Sequence, residues 1–309
     1  MSAERVPLAG GLIDRDVATR GSVEAFERAW ADPAARVLQL SGALVPVVGE
    51  PGVRTLALVA PAEVEALGAV DPDARVFVGR LEGAPVFAVS CGRENAEAAQ
   101  GSGTGAAVTW AHPFEVGVEL PPADRETLII ASALIRWHEA AGFSPRDGES
   151  TTVADGGWSR RDAQGGELFP RTDPAVIVLI EHENRVLLGS NALWESGRFS
   201  LLAGFVEAGE TLEQAVVREV FEESGVRLGE LRYVASQPWP FPRSIMLGFR
   251  ARLAADQDPN ALAPDPSEIS ELRWFTRAEV ATPPAGIRLP MPFSIAGWML
   301  RNWAAEDEG

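Results

Sequence analysis

Apolar and polar positions are patterned differently in the two halves of the chain. In the first part, the short apolar runs "ARVLQL" (35–40), "RTLALVA" (54–60), "ARVFVG" (74–79) and "APVFAVS" (84–90) are set apart by Gly, Pro and Asp, which predicts a β-rich region. From Asp124 to Ala141 the apolar residues recur at helical spacing, and Gly142 follows, so one amphipathic helix is expected. Residues 142–174 are rich in Gly, Ser, Asp and Arg with little periodicity, as in a loop or small connecting module. Beyond them, 175–180 and 185–190 read as strands joined by a tight "EHEN" turn. The runs 231–242, 245–253 and 271–276 also read as strands, and 293–305 reads as a terminal helix.

Between these strands lies one strongly acidic helical pattern. Thr211 precedes the apolar positions Leu212, Ala215 and Val216, with Gln214 placed to complete a capping box, and Gly225 stands where a left-handed C-cap is wanted. A helix over 212–224 follows, and strands on both sides of it predict an α/β or α+β domain. The chain divides into an α+β region at 1–141, a connector at 142–171 and a second domain at 172–309. No internal repeat is visible.

On that helix Glu219, Glu222 and Glu223 are spaced i, i+3 and i+4, so their carboxylates project from one face. Taken alone, such a cluster suits a solvated acidic face. It also offers the oxygen ligands that Mg²⁺ or Mn²⁺ prefers, with substrate phosphates in the remaining positions. Arg218 adjoins the cluster and can orient a carboxylate or contact phosphate.

Composition narrows the partners. With 27 basic residues against 44 acidic ones the net charge is −17, which works against non-specific attraction to nucleic acid or anionic membrane. The single cysteine, Cys91, excludes an internal disulfide framework and a cysteine-rich zinc site, and reads as a small buried apolar residue. His112, His138 and His182 are scattered and share no ligand spacing. The start "MSAERVPLAGG" has no basic segment leading into an apolar core, and no apolar run approaches the ~20 residues that span a bilayer, so a cytoplasmic protein without membrane contact is expected.

The segment 204–226 reads Gly204, five residues, Glu210, seven residues, Arg218-Glu219-Val220, one residue, Glu222-Glu223, one residue, Gly225-Val226. This pattern resembles the Nudix box of the Nudix hydrolase superfamily. The resemblance implies an α/β/α sandwich that hydrolyses a nucleoside diphosphate linked to another group, with divalent metal held by the box. It makes Glu219, Glu222 and Glu223 the metal-ligand or catalytic candidates together with Arg218. Glu210 becomes a supporting carboxylate, and Gly204 the turn that lets the loop approach the helix.

Past the box, "SQPWPFPRS" (236–244) resembles the segment that distinguishes NADH pyrophosphatases, and the likeness extends through "FPRTDPAVIVLI" and "DPSEISELRWF". It implies cleavage of NADH or NAD to nicotinamide mononucleotide and AMP, in some members removal of NAD caps from RNA 5′ ends, and a homodimer. Phe169 and Phe205 then look like the aromatic pair that stacks on the base, Gln237 and Ser244 like substrate-contacting polar groups, Ala296 like a backbone contact, and Glu268 like a further metal carboxylate. The family's four-cysteine zinc ribbon is missing: Ser144 and Asp147 stand at its first pair and "RRDAQGG" at its second. Zinc is therefore not expected, and 142–171 is read as a degenerate ribbon-like connector. Two other readings remain open at this point. One is a Nudix hydrolase of ADP-ribose or dinucleoside polyphosphates; the other is a nucleotide-sensing or RNA-processing protein.

Overall fold

The computed structural model describes residues 6–8, 10–66, 74–92 and 107–306, which fall into two compact units. One holds the described residues of Met1–Ala9, Thr172–Trp239 and Ser244–Gly309, the other those of Gly10–Arg171 and Pro240–Arg243. Residues 1–5, on which the reading of the chain's start partly rests, lie outside the described residues.

In the unit that includes residues 10–171, strands β1 (Ile13–Asp14), β2 (Arg36–Leu40), β5 (Val76–Leu81) and β6 (Ala84–Ser90) form a sheet of order β1-β5-β6-β2. Only the β2–β6 pair is parallel. The alternation of its strands sorts them onto two apolar faces. Leu38, Leu40, Val76, Val78, Val86 and Ala88 pack with Leu128, Ile130, Ala131, Leu134 and Ile135 of a long helix, Pro122–Ala140. Val37, Phe77, Phe87 and Val89 pack with Trp30 and Val64 from short helices at Val23–Trp30 and Pro61–Ala66.

Strands β3 (Val45–Val48), β4 (Thr55–Leu56) and β7 (Thr109–Ala111) make a second, antiparallel sheet. The run "RTLALVA" is thus a strand only at Thr55–Leu56. Val59 makes just an isolated bridge to Val37, and Pro61 opens a helix.

Residues 142–171 carry more order than a loop. They contain an antiparallel sheet of β8 (Thr152–Ala154), β9 (Ser159–Arg161) and β10 (Glu167–Leu168), and they group with residues 10–141. Where a ribbon would use cysteines, polar side chains close the turns. The Ser144 Oγ accepts from the Arg146 amide (3.2 Å), Asp147 accepts from the Glu149 amide (3.1 Å), and Asp162 accepts from the amides of Gln164 (3.0 Å) and Gly166 (2.6 Å). The Gln164 amide then donates to Asp147 (3.2 Å), tying one turn to the other. The Trp158 indole donates to the Phe77 carbonyl (2.7 Å), fixing this small sheet to the core.

The other unit is built on a six-stranded mixed sheet. β14 (Leu228–Trp239), β15 (Ser244–Leu253), β11 (Asp173–His182), β12 (Arg185–Asn191) and β16 (Ile269–Thr276) follow in that order, and β13 (Leu202–Phe205) pairs with the first half of β11. The β11–β15 pair is parallel and the others are antiparallel. Strand alternation again decides the layers. Val176, Val178 and Ile180 face the helix Leu212–Ser224, through Ala215, Val216 and Val220. Ile177, Leu179, Val186 and Leu188 face the helix Ile295–Ala305, through Ile295, Ala296, Met299, Leu300 and Trp303. The sheet is therefore sandwiched between helices, an α/β/α arrangement. The β11–β12 turn places Glu183 and Asn184 in the left-handed region (φ 46 and 59), which suits Asn and the tight hairpin.

Among the described residues no helix is long and apolar enough to cross a membrane.

Candidate active site

The helix Leu212–Ser224 begins and ends where its sequence dictates. The Thr211 Oγ accepts from the Gln214 amide (3.2 Å) while the Gln214 side chain accepts from the Thr211 amide (2.8 Å), and Gly225 closes the helix at φ 70. Those caps set the helix ends, and packing of Ala215, Val216 and Val220 against the sheet sets which side the carboxylates occupy.

Arg218 organises that face. Its Nε and Nη2 form a fork on the two oxygens of Glu210 (2.8 and 2.9 Å), and Nη2 also donates to the Phe205 carbonyl (2.9 Å). Its Nη1 reaches Glu219 (2.9 Å) and Glu222 (3.2 Å). One guanidinium thus spans three carboxylates and the end of β13. Hydrogen bonds from Arg218 and from the Glu207 amide hold the Glu210 carboxyl down to about 2, and the bond to Glu210 in turn raises Arg218 above its usual value.

The remaining carboxylates are electrostatically uncomfortable. Glu223 is 6% exposed, and its Oε2 has no hydrogen-bond partner. Burial, reinforced by the charges of Glu219 and Glu268, pushes its carboxyl up to about 8. Glu219 is raised too, by burial against the opposing pull of Arg218, with Glu222 and Glu268 adding repulsion. Gly204 in β13 lies directly against Glu219, and any Cβ there would collide with its carboxylate.

Among the described residues no three acidic, histidine or cysteine side chains stand together at metal-ligating distance, and Arg218 pairs with three of the carboxylates. Even so, the donor set suits a hard cation. An orphaned buried oxygen on Glu223 and a glycine cradle beside Glu219 are features that a carboxylate-bound Mg²⁺ or Mn²⁺ would explain.

A cavity of about 290 Å³ in the same unit has Glu223 in its lining. Its wall includes Trp194, Arg198, Ala203, Gln237, Trp239 and Ala296. Gln237 is fully buried, and its amide is already committed. Its Nε2 donates to the carbonyls of Pro7 (2.5 Å) and Phe293 (2.9 Å), and its Oε1 accepts from the Ile295 amide (2.7 Å). Ala296 lies in the first turn of the C-terminal helix, behind Ser294, whose Oγ caps the Gly297 amide.

The other expected residues are spread more widely. Ser244 opens β15 opposite Asp173, and Phe205, 58% exposed, ends β13. Phe169 belongs to the unit that includes residues 10–171 and is 62% exposed. Glu268 is exposed just before β16, and its carbonyl accepts from the Ala192 amide (2.7 Å).

Three groups have structural duties. The His112 Nδ1 accepts from the Phe114 amide (3.2 Å), His182 stands 3.6 Å from Glu183, and His138 contacts the Gly157 carbonyl. Cys91 is half-buried, and burial pushes its thiol up to about 11, which leaves little thiolate at neutral pH. The sequence reading missed Trp194 and Arg198. They sit in a loop with no apolar period, and only the fold reveals that it lines the cavity.

Residues 171–291 match the family model of the NUDIX domain, so the chain carries a Nudix domain there. Among curated proteins the chain is similar to the NAD-capped RNA hydrolase NudC of Mycobacterium bovis (strain BCG / Pasteur 1173P2), with 48% identity over 187 residues, 57% of this chain and 59% of that protein. It is also similar to the NAD-capped RNA hydrolase NUDT12 of Homo sapiens, with 36% identity over 179 residues, 54% of this chain and 38% of that protein. The chain thus spans 59% or less of the length of these relatives. Among solved structures, a NUDIX hydrolase from Nitrosomonas europaea matches 44% of this chain and 78% of its own, at 28% identity and a TM-score of 0.38.

Proposed function

We propose that this protein is a metal-dependent NAD(H) pyrophosphatase that cleaves the diphosphate of NADH or NAD to nicotinamide mononucleotide and AMP, and that also removes NAD caps from RNA 5′ ends. The observation that carries the proposal is the Arg218-organised carboxylate face, with Glu223, whose buried oxygen has no partner, in the lining of a nucleoside-sized cavity. The names of the similar proteins support the same substrate class.

In this reading Glu219, Glu222, Glu223 and Glu268 hold Mg²⁺ or Mn²⁺. Such a cation would supply charge neutralisation of the diphosphate and a lowered pKa for the attacking water. The chain's own groups do the rest. The Arg218–Glu210 fork fixes the pitch of the carboxylates, and Gly204 lets β13 approach them. Glu223, raised to about 8 when no cation is present, is ready to exchange its proton for one. Phe205 offers an exposed ring to a base, while Ala296 and Gln237 line the cavity that would surround the nucleotide. The commitments of the Gln237 amide favour a role as scaffold for the cavity wall over a direct substrate contact.

For this purpose the hydrolase domain is taken as residues 172–309, with 1–141 an accessory domain and 142–171 a metal-free connector. The polar closures at Ser144, Asp147 and Asp162 support the last assignment. A single cysteine and a charge of −17 support residence in the cytoplasm. The family resemblance supports a homodimer, to be tested by sedimentation.

Product analysis on NADH, NAD, ADP-ribose, dinucleoside polyphosphates and NAD-capped RNA tests the substrate class. Preferential release of AMP and nicotinamide mononucleotide is expected. Faster turnover of ADP-ribose or a dinucleoside polyphosphate would move the assignment to another Nudix activity, and binding without cleavage would make the protein a sensor.

A further inference from the structure

A dinucleotide's diphosphate brings negative charge to a site already crowded with carboxylates. Arg218 is poorly placed to answer it, because Glu210, Glu219, Glu222 and the Phe205 carbonyl already engage its guanidinium. Arg198 is the one Arg, Lys or His among the described residues lining the cavity that also includes Glu223.

Several features leave this guanidinium available. Its Cζ lies 4.5 Å from the centroid of the Trp194 ring, which also lines the cavity, and an arginine stacked on an aromatic face keeps its N–H fork for in-plane partners. The nearby carboxylate of Glu195 is taken by Arg288. Arg198 itself makes no ion pair among the described residues.

The backbone beneath it is fixed. The Phe199 amide donates to the Arg288 carbonyl (2.9 Å), and the Arg288 amide donates to the Gly197 carbonyl (2.8 Å). Gly197 sits at φ +83, with the Gly286 carbonyl where a Cβ would stand. From Arg198 the chain continues along the cavity wall to Ala203, beside Glu223, a reach of at most about 18 Å even at full extension.

We propose that Arg198, oriented by Trp194, binds a phosphate of the substrate's diphosphate and so sets the preference of this cavity for nucleotides over uncharged nucleosides. The proposal rests on reading the cavity as a nucleotide site.

The test measures binding in chelator by tryptophan fluorescence, since Trp194 and Trp239 line the cavity. AMP and nicotinamide mononucleotide are each compared with the corresponding nucleoside, in the full chain and in Arg198→Ala and Arg198→Lys. Arg198→Ala is expected to weaken nucleotide binding by about tenfold or more, as loss of charge-assisted hydrogen bonds implies, and to leave nucleoside binding unchanged. Arg198→Lys should retain part of the affinity, and added salt should weaken nucleotide binding to the unaltered chain more than to Arg198→Ala. Equal losses for nucleotide and nucleoside, no loss for nucleotide, or no nucleotide binding by the unaltered chain would each overturn the assignment. Arg198-dependent nucleotide binding without NADH cleavage would sink the hydrolase reading and leave the Arg198 role standing. Cleavage of NADH with Arg198-independent binding would do the reverse.

Discussion

Gly204 and Glu219 approach so closely that a Cβ at residue 204 would lie 1.9 Å from the Glu219 carboxyl carbon and 2.1 and 2.2 Å from its oxygens. Strand β13 and the carboxylate helix therefore meet at a distance that only glycine permits. The Glu219 carboxylate could make room for a Cβ only by giving up its 2.9 Å contact with Arg218.

Gly204→Ala should therefore displace Glu219 and disturb the cluster without unfolding the sheet. We expect kcat for NADH cleavage to fall about a hundredfold, the scale of a misplaced catalytic group. The melting temperature should shift by no more than about 4 °C. Steady-state kinetics and thermal melting of the variant check this, and an unchanged kcat would contradict it.

Gln237 gives a contrasting case. Removing its amide strands two carbonyls and one N–H, at about 1–3 kcal/mol for each buried group left unpaired. Gln237→Ala should thus lower the urea midpoint markedly. A variant of unchanged stability with only a raised KM would show that Gln237 serves the substrate instead.

His138 makes stability depend on pH. Its Nε2 faces the Gly157 carbonyl (2.8 Å) and its Nδ1 faces Arg160 (3.0 Å), an arrangement that suits the neutral ring with hydrogen on Nε2. Burial lowers its pKa below 6.5, with the Arg160 charge acting in the same direction. The unfolded chain then binds the proton more readily than the folded one. The stabilisation is present above 6.5 and is lost as pH falls through 6.5 toward the depressed folded value. Melting temperature measured from roughly pH 8 to 5 should decline on the acid side, and His138→Gln should flatten part of that decline. An identical pH profile in the variant would refute the assignment.

The carboxylate helix was legible in the sequence because every device that makes it is local. Thr211 and Gln214 cap it, Gly225 ends it, and the spacing of Glu219, Glu222 and Glu223 sets one face. The long helix Pro122–Ala140 was legible for the same reason, through its apolar period. The single-turn helices Val17–Arg20 and Pro113–Val116 gave no such signal, since each is too short for a period and is set by its cap, Asp16 or His112; Val23–Trp30 does carry an apolar period, which the sequence reading passed over.

The small sheet at 152–168 was hidden in polar sequence because its β9–β10 turn is closed by the Asp162 side chain on the Gln164 and Gly166 amides rather than announced by an apolar period. Arg218 was visible as an orienting group, but its grip on three carboxylates was not, since Glu210 lies eight positions away across the loop. The cavity wall at Trp194 and Arg198 depends on tertiary structure alone.

The most direct test is the rate of AMP release from NADH with Mg²⁺, with Mn²⁺ and with chelator, for the unaltered chain and for Glu223→Gln. The amide keeps the shape of the side chain and removes the charge that would hold the cation. The account predicts metal-dependent AMP release that chelator abolishes, and a loss of at least about a thousandfold in Glu223→Gln. Glu223→Gln should remain folded, because it replaces a buried carboxylate that burial and its neighbours already disfavour. AMP release that survives chelator, or substantial turnover by folded Glu223→Gln, would contradict the account.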